Sequence, residues 1–296
     1  MIPIRYVEPV YRPPSEAESL ILPLTDGCSW NKCTFCEMYT APQKKFRARE
    51  EAEVLESIRL TGERYGNDIR RVFLADGDAL VLPTKRLLTV LEAIHTHLPA
   101  VRRISSYCLP RNLRKKSQQE IDELAAAGLK MVYVGAESGD DEVLALVTKG
   151  ESFATTCEAL EKLGNAGISR SVMILNGLGG QVYTHQHAVN SAKLANLTQP
   201  EYLATLVVSF PKGEQRFRAD FPQWEPLDQQ ALFTEMEDFL SRLTLTRTVF
   251  RSDHASNALI LKGTLGADKE RLLAQVRQAI ERPQEARLRP LWARGL

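Results

Sequence analysis

The stretch SLILPLTDGCSWNKCTFC, residues 19–36, decides how this chain is read. An apolar run of strand length, Ser19 to Leu24, passes directly into Thr25, Asp26, Gly27 and Cys28. Cys33 and Cys36 follow, so a loop after the first strand carries three cysteines at C-x4-C-x2-C spacing. Thiolates are soft ligands that suit iron–sulfur clusters or zinc. Three cysteines this close can each bind a different iron of a cubane and leave the fourth iron open. An open metal position is what catalysis needs. A structural zinc site requires a fourth protein ligand, and no nearby histidine or second C-x-x-C supplies one. Zinc and unrelated reactive thiols remain the alternative readings.

The remaining cysteines, Cys108 and Cys157, lie far away, and the odd total of five argues against a disulfide framework. With 44% hydrophobic and 25% charged residues over 296 positions, the composition is that of an ordinary globular protein. The 38 basic residues offset the 37 acidic ones, so bulk charge makes no case for nucleic acid. Glu8, Arg12 and several prolines interrupt any signal-peptide core near the start. No run approaches the ~18 apolar residues of a membrane span. A cytoplasmic protein without a membrane partner is the expectation.

Outward from the cysteine loop, apolar runs alternate with helical patterns. Strands are expected at 19–24, 71–75, 103–109, 131–135, 169–175 and 202–209. Helices are expected at 50–65, from about 83, and at 117–127, 140–147, 153–165 and 185–197. Six βα repeats imply parallel strands with right-handed crossovers. A six-strand partial barrel and an open doubly wound sheet both fit. In either, ligands meet the C-terminal ends of the strands, where the polar and glycine-rich segments fall. After Gly213 the pattern changes. A loop is expected over 214–227, a helix over 227–243, short strands at 248–251 and 257–262, and a helix over 268–281. The chain thus divides into an N-terminal extension (1–18), a βα region (19–213), a small α+β extension (214–282) and an arginine-rich tail (283–296), read as a mobile or docking segment.

The cysteine loop resembles that of the radical S-adenosylmethionine (SAM) superfamily, whose usual motif is C-x3-C-x-aromatic-C. Phe35 supplies the aromatic residue, and one extra residue separates the first two cysteines. The resemblance implies an α/β fold, a partial (β/α)6 TIM-like barrel with a small C-terminal α+β extension. It also implies a [4Fe–4S] cluster on Cys28, Cys33 and Cys36, with S-adenosyl-L-methionine on the open iron. Reductive cleavage of SAM would give a 5′-deoxyadenosyl radical that abstracts hydrogen from the substrate. A flavodoxin or ferredoxin-type protein would supply the electron.

The other strand ends extend the resemblance. Asp76, Gly77 and Asp78 stand where the family often has a Gly-Gly-Glu element facing the SAM ammonium, and Asp78 would take the carboxylate position. Glu137 and Ser138 match a Gly-x-Glu/Gln-Ser element of the coproporphyrinogen dehydrogenase-like branch, in which the acidic residue binds the ribose hydroxyls. Lys149, twelve positions on, matches a basic residue that pairs with the SAM carboxylate. Asn176 and Gly177 resemble the branch's adenine-side segment, although Met173 and Tyr107 replace acidic residues common elsewhere in the family.

The remaining side chains carry weaker readings. His254, in the polar run between the two late strands, and Cys108, beside a strand end, are candidate catalytic groups; a structural histidine and a buried inert thiol are the bland alternatives. His95/His97 and His185/His187 sit two apart on helices, point away from each other, and are assigned to surface or capping roles. No second cysteine cluster suggests an auxiliary centre. A radical SAM oxidoreductase or transferase on a small molecule is the leading expectation. RNA modification through the arginines and Trp292 of the tail, and a non-catalytic Fe–S or zinc module, are the alternatives.

Overall fold

The computed structural model describes residues 3–295. The chain forms two compact units, one of residues up to 31, 38–134 and 159–170, the other of 32–37, 135–158 and 171 onward.

The first unit holds β1 (Leu20–Pro23), β2 (Thr25–Asp26), β3 (Arg47–Ala48), α1 (Glu51–Tyr65), β4 (Arg71–Ala75), α2 (Thr84–His97), β5 (Arg103–Tyr107) and α3 (Gln118–Ala126). β6 (Leu129–Glu137) begins there. β1 and β4 are near-continuous apolar runs, as parallel strands covered on both faces require, whereas β5 buries Ser105 and Ser106 beside Ile104. Leu20 to Pro23 lie beside Val72 to Ala75 in parallel register, and Arg71 to Leu74 beside Arg103 to Ser106. Helix α2 buries Leu87, Val90, Leu91 and Ile94, an i, i+3, i+4, i+7 stripe. Ser117 and Glu120 form a reciprocal capping box at the start of α3. The N-terminal extension contributes to this core: Glu16 is fully buried, 2.9 Å from Arg103, and accepts the Tyr133 hydroxyl at 2.6 Å.

The second unit holds α4 (Asp141–Leu146), β7 (Ser169–Asn176) from Ser171 onward, α6 (Gly180–Thr198), β8 (Tyr202–Val207), α7 (Gln215–Asp220), α8 (Gln229–Arg242), β9 (Val249–Ser252), β10 (Leu261–Thr264) and α9 (Lys269–Glu281). Helix α5 (Phe153–Asn165) contributes residues to both units. In hydrogen-bonding order the strands run β1-β4-β5-β6 in the first unit and β7-β8-β9-β10 in the second. β8 pairs with β9 in parallel, and β10 returns antiparallel to β9. The α+β extension therefore prolongs the βα pattern by one parallel strand before reversing it.

Three local expectations are corrected and a fourth is narrowed. The expected loop over 214–227 contains α7, which buries Phe217; Phe221 and Trp224, just beyond the helix, turn into the same cluster. All three are buried against Val143, Val147, Leu175 and Leu178. Helix α6 starts five residues before the expected His185, its glycines having read as loop. Residues 257–260 of the expected strand lie outside β10, because the Asn257 amide is bonded to Thr205 O and Val207 N. The tail, expected to be mobile or docking, docks on the protein itself at residues 288 and 289. Leu288 bridges Leu259, and the Arg289 guanidinium donates to the carbonyls of Asp253, His254 and Asn257. Among the described residues, no helix is long and apolar enough to cross a membrane.

Candidate active site

In the first unit, Cys28 follows β2 at the end of the first parallel strand. Two carboxylates from the turn after β4 hold the backbone on either side of it. Asp76 Oδ2 accepts the Gly27 N–H at 3.2 Å, and Asp78 Oδ1 accepts the Ser29 N–H at 2.9 Å. Asp76 also takes the Lys44 ammonium at 2.5 Å, in an ion pair buried at both ends. The other oxygen of Asp78 accepts from the Ser29 hydroxyl and from Asn112 Nδ2 at 3.1 Å. Burial pushes both carboxyls above the ordinary aspartate pKa; Lys44 opposes it at Asp76, and Ser29 and Asn112 oppose it at Asp78. Gly77 lies between them, and a Cβ there would stand 2.9 Å from the Cα and Cβ of Cys28. Only glycine lets this turn approach the cysteine so closely. Next to Cys28 and Ser29, Trp30 is capped by the Arg111 guanidinium at 3.7 Å.

The second unit holds the other two cysteines. Cys33 is buried and Cys36 partly exposed; Val147 O accepts the Thr34 N–H, and Arg216 Nη1 donates to Cys36 O at 2.7 Å. Phe35 packs against the aromatic core of α7, with the Lys149 ammonium 5.8 Å from its ring centroid. Lys149 Nζ is 3.0 Å from Glu137 Oε1. Burial alone would lower the Lys149 pKa, but the Glu137 carboxylate and the Cys33 and Cys36 sulfurs outweigh it and keep this lysine charged. Glu137 adopts the left-handed region (φ 65°), and its buried Oε2 has no hydrogen-bond partner among the described residues. A Cβ on Gly135 would fall 2.1 Å from Glu137 Oε1, so the glycine makes room for that carboxylate.

Ser138 Oγ meets His187 Nδ1 at 2.8 Å, and His187 is fully buried. The surface or capping role expected of this histidine is therefore corrected, whereas exposed His185 pairs with Asp238. Asn176 and Gly177, at the end of β7, contact Glu235 of α8. His254 Nδ1 accepts the Ser256 N–H, which leaves the neutral ring's proton on Nε2. Burial first, then Arg289, lowers the His254 pKa. Cys108, in the first unit, is buried with Sγ 3.4 Å from Leu109 O. Lys44, Asn112, Arg216 and Glu235 escaped the sequence reading, and His187 was misplaced by it. Only Glu235 left a trace there, as an acidic residue on the buried stripe of a helix.

No disulfide joins the five cysteines among the described residues. Among the described residues, no three His, Cys, Asp or Glu side chains form a ready-made metal site. The donor chemistry nonetheless suits an anionic thiolate-bound cluster, with three cysteines in one short loop and a buried ammonium close enough to two of them to respond to their charge.

A family model described as the Radical SAM superfamily matches residues 22–195, well over half the chain. The chain belongs to the radical SAM superfamily. The family's cofactors are a [4Fe–4S] cluster and S-adenosylmethionine. Among solved structures, the chain is similar to coproporphyrinogen III oxidase (HemN) from Escherichia coli, with TM-score 0.56 and 16% identity over 76% of this chain and 52% of that one. It is similar to the radical SAM methyltransferase TsrM from Kitasatospora setae, solved with tryptophan substrate and a SAM analog, with TM-score 0.53 and 20% identity over 64% and 36%. Methylornithine synthase (PylB) gives TM-score 0.54 and 13% identity over 92% and 74%. These likenesses show the radical SAM fold, the partial-barrel α/β architecture expected above. The chain spans about a third to a half of the length of TsrM and HemN. A comparison with curated proteins finds no match.

Proposed function

We propose that Cys28, Cys33 and Cys36 ligate one [4Fe–4S] cluster and that the protein is a radical SAM oxidoreductase or transferase acting on a small molecule. The observation that carries this reading is the three-cysteine loop, which lies within the family match and stands just after the first parallel strand. When bound, the cluster and SAM supply reductive C–S bond cleavage and hydrogen-atom abstraction from the substrate. The chain's own part is placement and charge. Asp76 and Asp78 fix the backbone flanking Cys28 through Gly27 and Ser29. Arg216 fixes the carbonyl of Cys36. Lys149 balances the negative charge of Cys33 and Cys36 and can turn from Glu137 toward a ligand carboxylate. Glu137 Oε2, an acceptor without a partner, suits a ribose hydroxyl.

Exposed Lys212 and Arg216, bonded to the backbone of Glu37 and Cys36, suit an acidic electron donor of the flavodoxin or ferredoxin type. An odd count of five cysteines, three of them in one loop, suits a reducing, cytoplasmic setting. A small molecule is favoured over RNA because Arg289 and Arg294 of the tail are bonded to the protein itself.

Anaerobic reconstitution tests the proposal. About four irons per chain and release of 5′-deoxyadenosine from SAM on reduction are expected, with both lost when any one of the three cysteines becomes alanine. One zinc per chain, or iron without SAM cleavage, overturns it.

A further inference from the structure

The strand register of the second unit sets Met173, Ala204, Arg251 and Lys262 side by side across β7, β8, β9 and β10. Residues paired in this way share one face of the strands. The adjacent row, Val172, Leu203 and Phe250, points to the other face and is fully buried. Met173 and Ala204 are half-buried, and Arg251 and Lys262 are exposed. One face is therefore sealed and the other is open to solvent. Leu175 and Leu206, one step on along the open face, join the core that Phe35 of the cysteine loop packs against. Arg251 thus stands on the face that leads to the cysteines.

Like charges directly opposite each other across two strands are destabilising. Lys262 meets this with a counterion, Asp253 Oδ2 at 2.8 Å. It also lies on the last strand in hydrogen-bonding order, where a lysine guards the edge against pairing with another chain. Neither reason covers Arg251. β9 has strands on both sides, and among the described residues no carboxylate pairs with this guanidinium. Its contacts are two carbonyls, both taken by Nη1: Phe250 O at 2.8 Å and, more weakly, Gly263 O at 3.4 Å. The Nε–Nη2 edge is left without a protein partner among the described residues. Two parallel N–H groups on a fixed edge match two oxygens of a carboxylate or phosphate.

We infer that Arg251 is a substrate-binding residue: its Nε–Nη2 edge takes a carboxylate or phosphate of the substrate, whose apolar body lies over Ala204 and Met173. The inference rests on the proposed function for calling this ligand the substrate. It makes the substrate an organic anion and gives the α+β extension a share in selecting it.

Phenylglyoxal labelling of the reconstituted holoenzyme, read arginine by arginine by peptide mass spectrometry, tests it. The probes are hexanoate, hexyl phosphate and uncharged hexanamide at matched ionic strength. Hexanoate or hexyl phosphate is expected to slow modification of Arg251 several-fold and to leave exposed Arg247 unaffected. Protection by hexanoate assigns a carboxylate, and protection by hexyl phosphate alone assigns a phosphate. Protection by neither anion, equal protection by hexanamide, or equal protection of Arg247 overturns the inference. Equilibrium dialysis of the protecting anion gives a second measure. Arg251→Gln is expected to bind it about tenfold more weakly than the parent, as loss of a charge-assisted pair requires; equal affinity overturns the inference. Iron content and 5′-deoxyadenosine release are measured on the same preparation. Their absence defeats the proposed function, whereas labelling of Arg251 reports on the anion site by itself.

Discussion

Lys149 Nζ and Glu137 Oε1 lie 3.0 Å apart with both side chains almost wholly buried, and the carboxylate partner sits in the left-handed backbone region. A buried pair is costly to break from one side because the remaining charge is left without a counterion. Lys149→Met is expected to destabilise the protein by about 3–5 kcal/mol. Glu137→Gln added to Lys149→Met should restore much of that loss. Urea unfolding of the three variants checks the pattern; a Lys149→Met protein as stable as the parent refutes it.

The grip on the cysteine loop gives a second expectation. Asp78→Ala leaves the part-buried Ser29 N–H and the buried Asn112 Nδ2 without their acceptor, at about 1–3 kcal/mol for the buried amide. Gly77→Ala forces a methyl to within 2.9 Å of Cys28. Both are expected to fold and yet carry less iron per chain than the parent. Iron and sulfide analysis after identical reconstitution is the check, and full cluster content in both would dismiss the clamp.

Acid stability should depend on Asp140. Burial would raise its pKa, but the Val143 N–H, Gln186, Asn190 and the Glu142 N–H outweigh it and hold the carboxyl below the usual value. A depressed folded-state pKa contributes stability that is present above the unfolded pKa of ~3.9 and is lost as pH falls through the lower folded value. Asp140→Asn keeps an acceptor at the start of α4 but does not titrate. Its unfolding midpoint is expected to fall less steeply than the parent's below about pH 4. Parallel slopes in the two proteins would contradict this assignment.

The docked tail offers a fourth check. Arg289→Ala removes the guanidinium that joins the tail to the carbonyls of Asp253, His254 and Asn257. Limited proteolysis should then cleave after Arg287 or Arg294 several-fold faster, with the barrel strands still protected. Cleavage at the parental rate would show that the remaining contacts suffice.

Parallel strands such as β1 and β4 were legible because each is a short apolar run stopped by polar or glycine residues; Arg71–Ala75 has the bounds its sequence suggests. The capping box at Ser117 marks α3 for the same local reason. What escaped depends on partners distant in sequence. Lys44 sits in a polar stretch, and nothing local reveals that its ammonium reaches Asp76. Spacing correctly separates His185 from His187, yet it does not say which of them turns inward toward Ser138. Asp78 illustrates the opposite case: the sequence marks it as a functional carboxylate, and the fold shows that its oxygens rest on Ser29 and Asn112.

Phe217, Phe221 and Trp224 share a single core with Val143, Val147, Leu175 and Leu178. Transplanting everything after Gly213 from a cousin would strand those aliphatic neighbours against ill-fitting rings and disturb the backbone that Glu235 and Trp224 brace at Gly177. New specificity in such a chain has to arise through matched changes on both sides of that junction, not by exchanging its last third as a cassette.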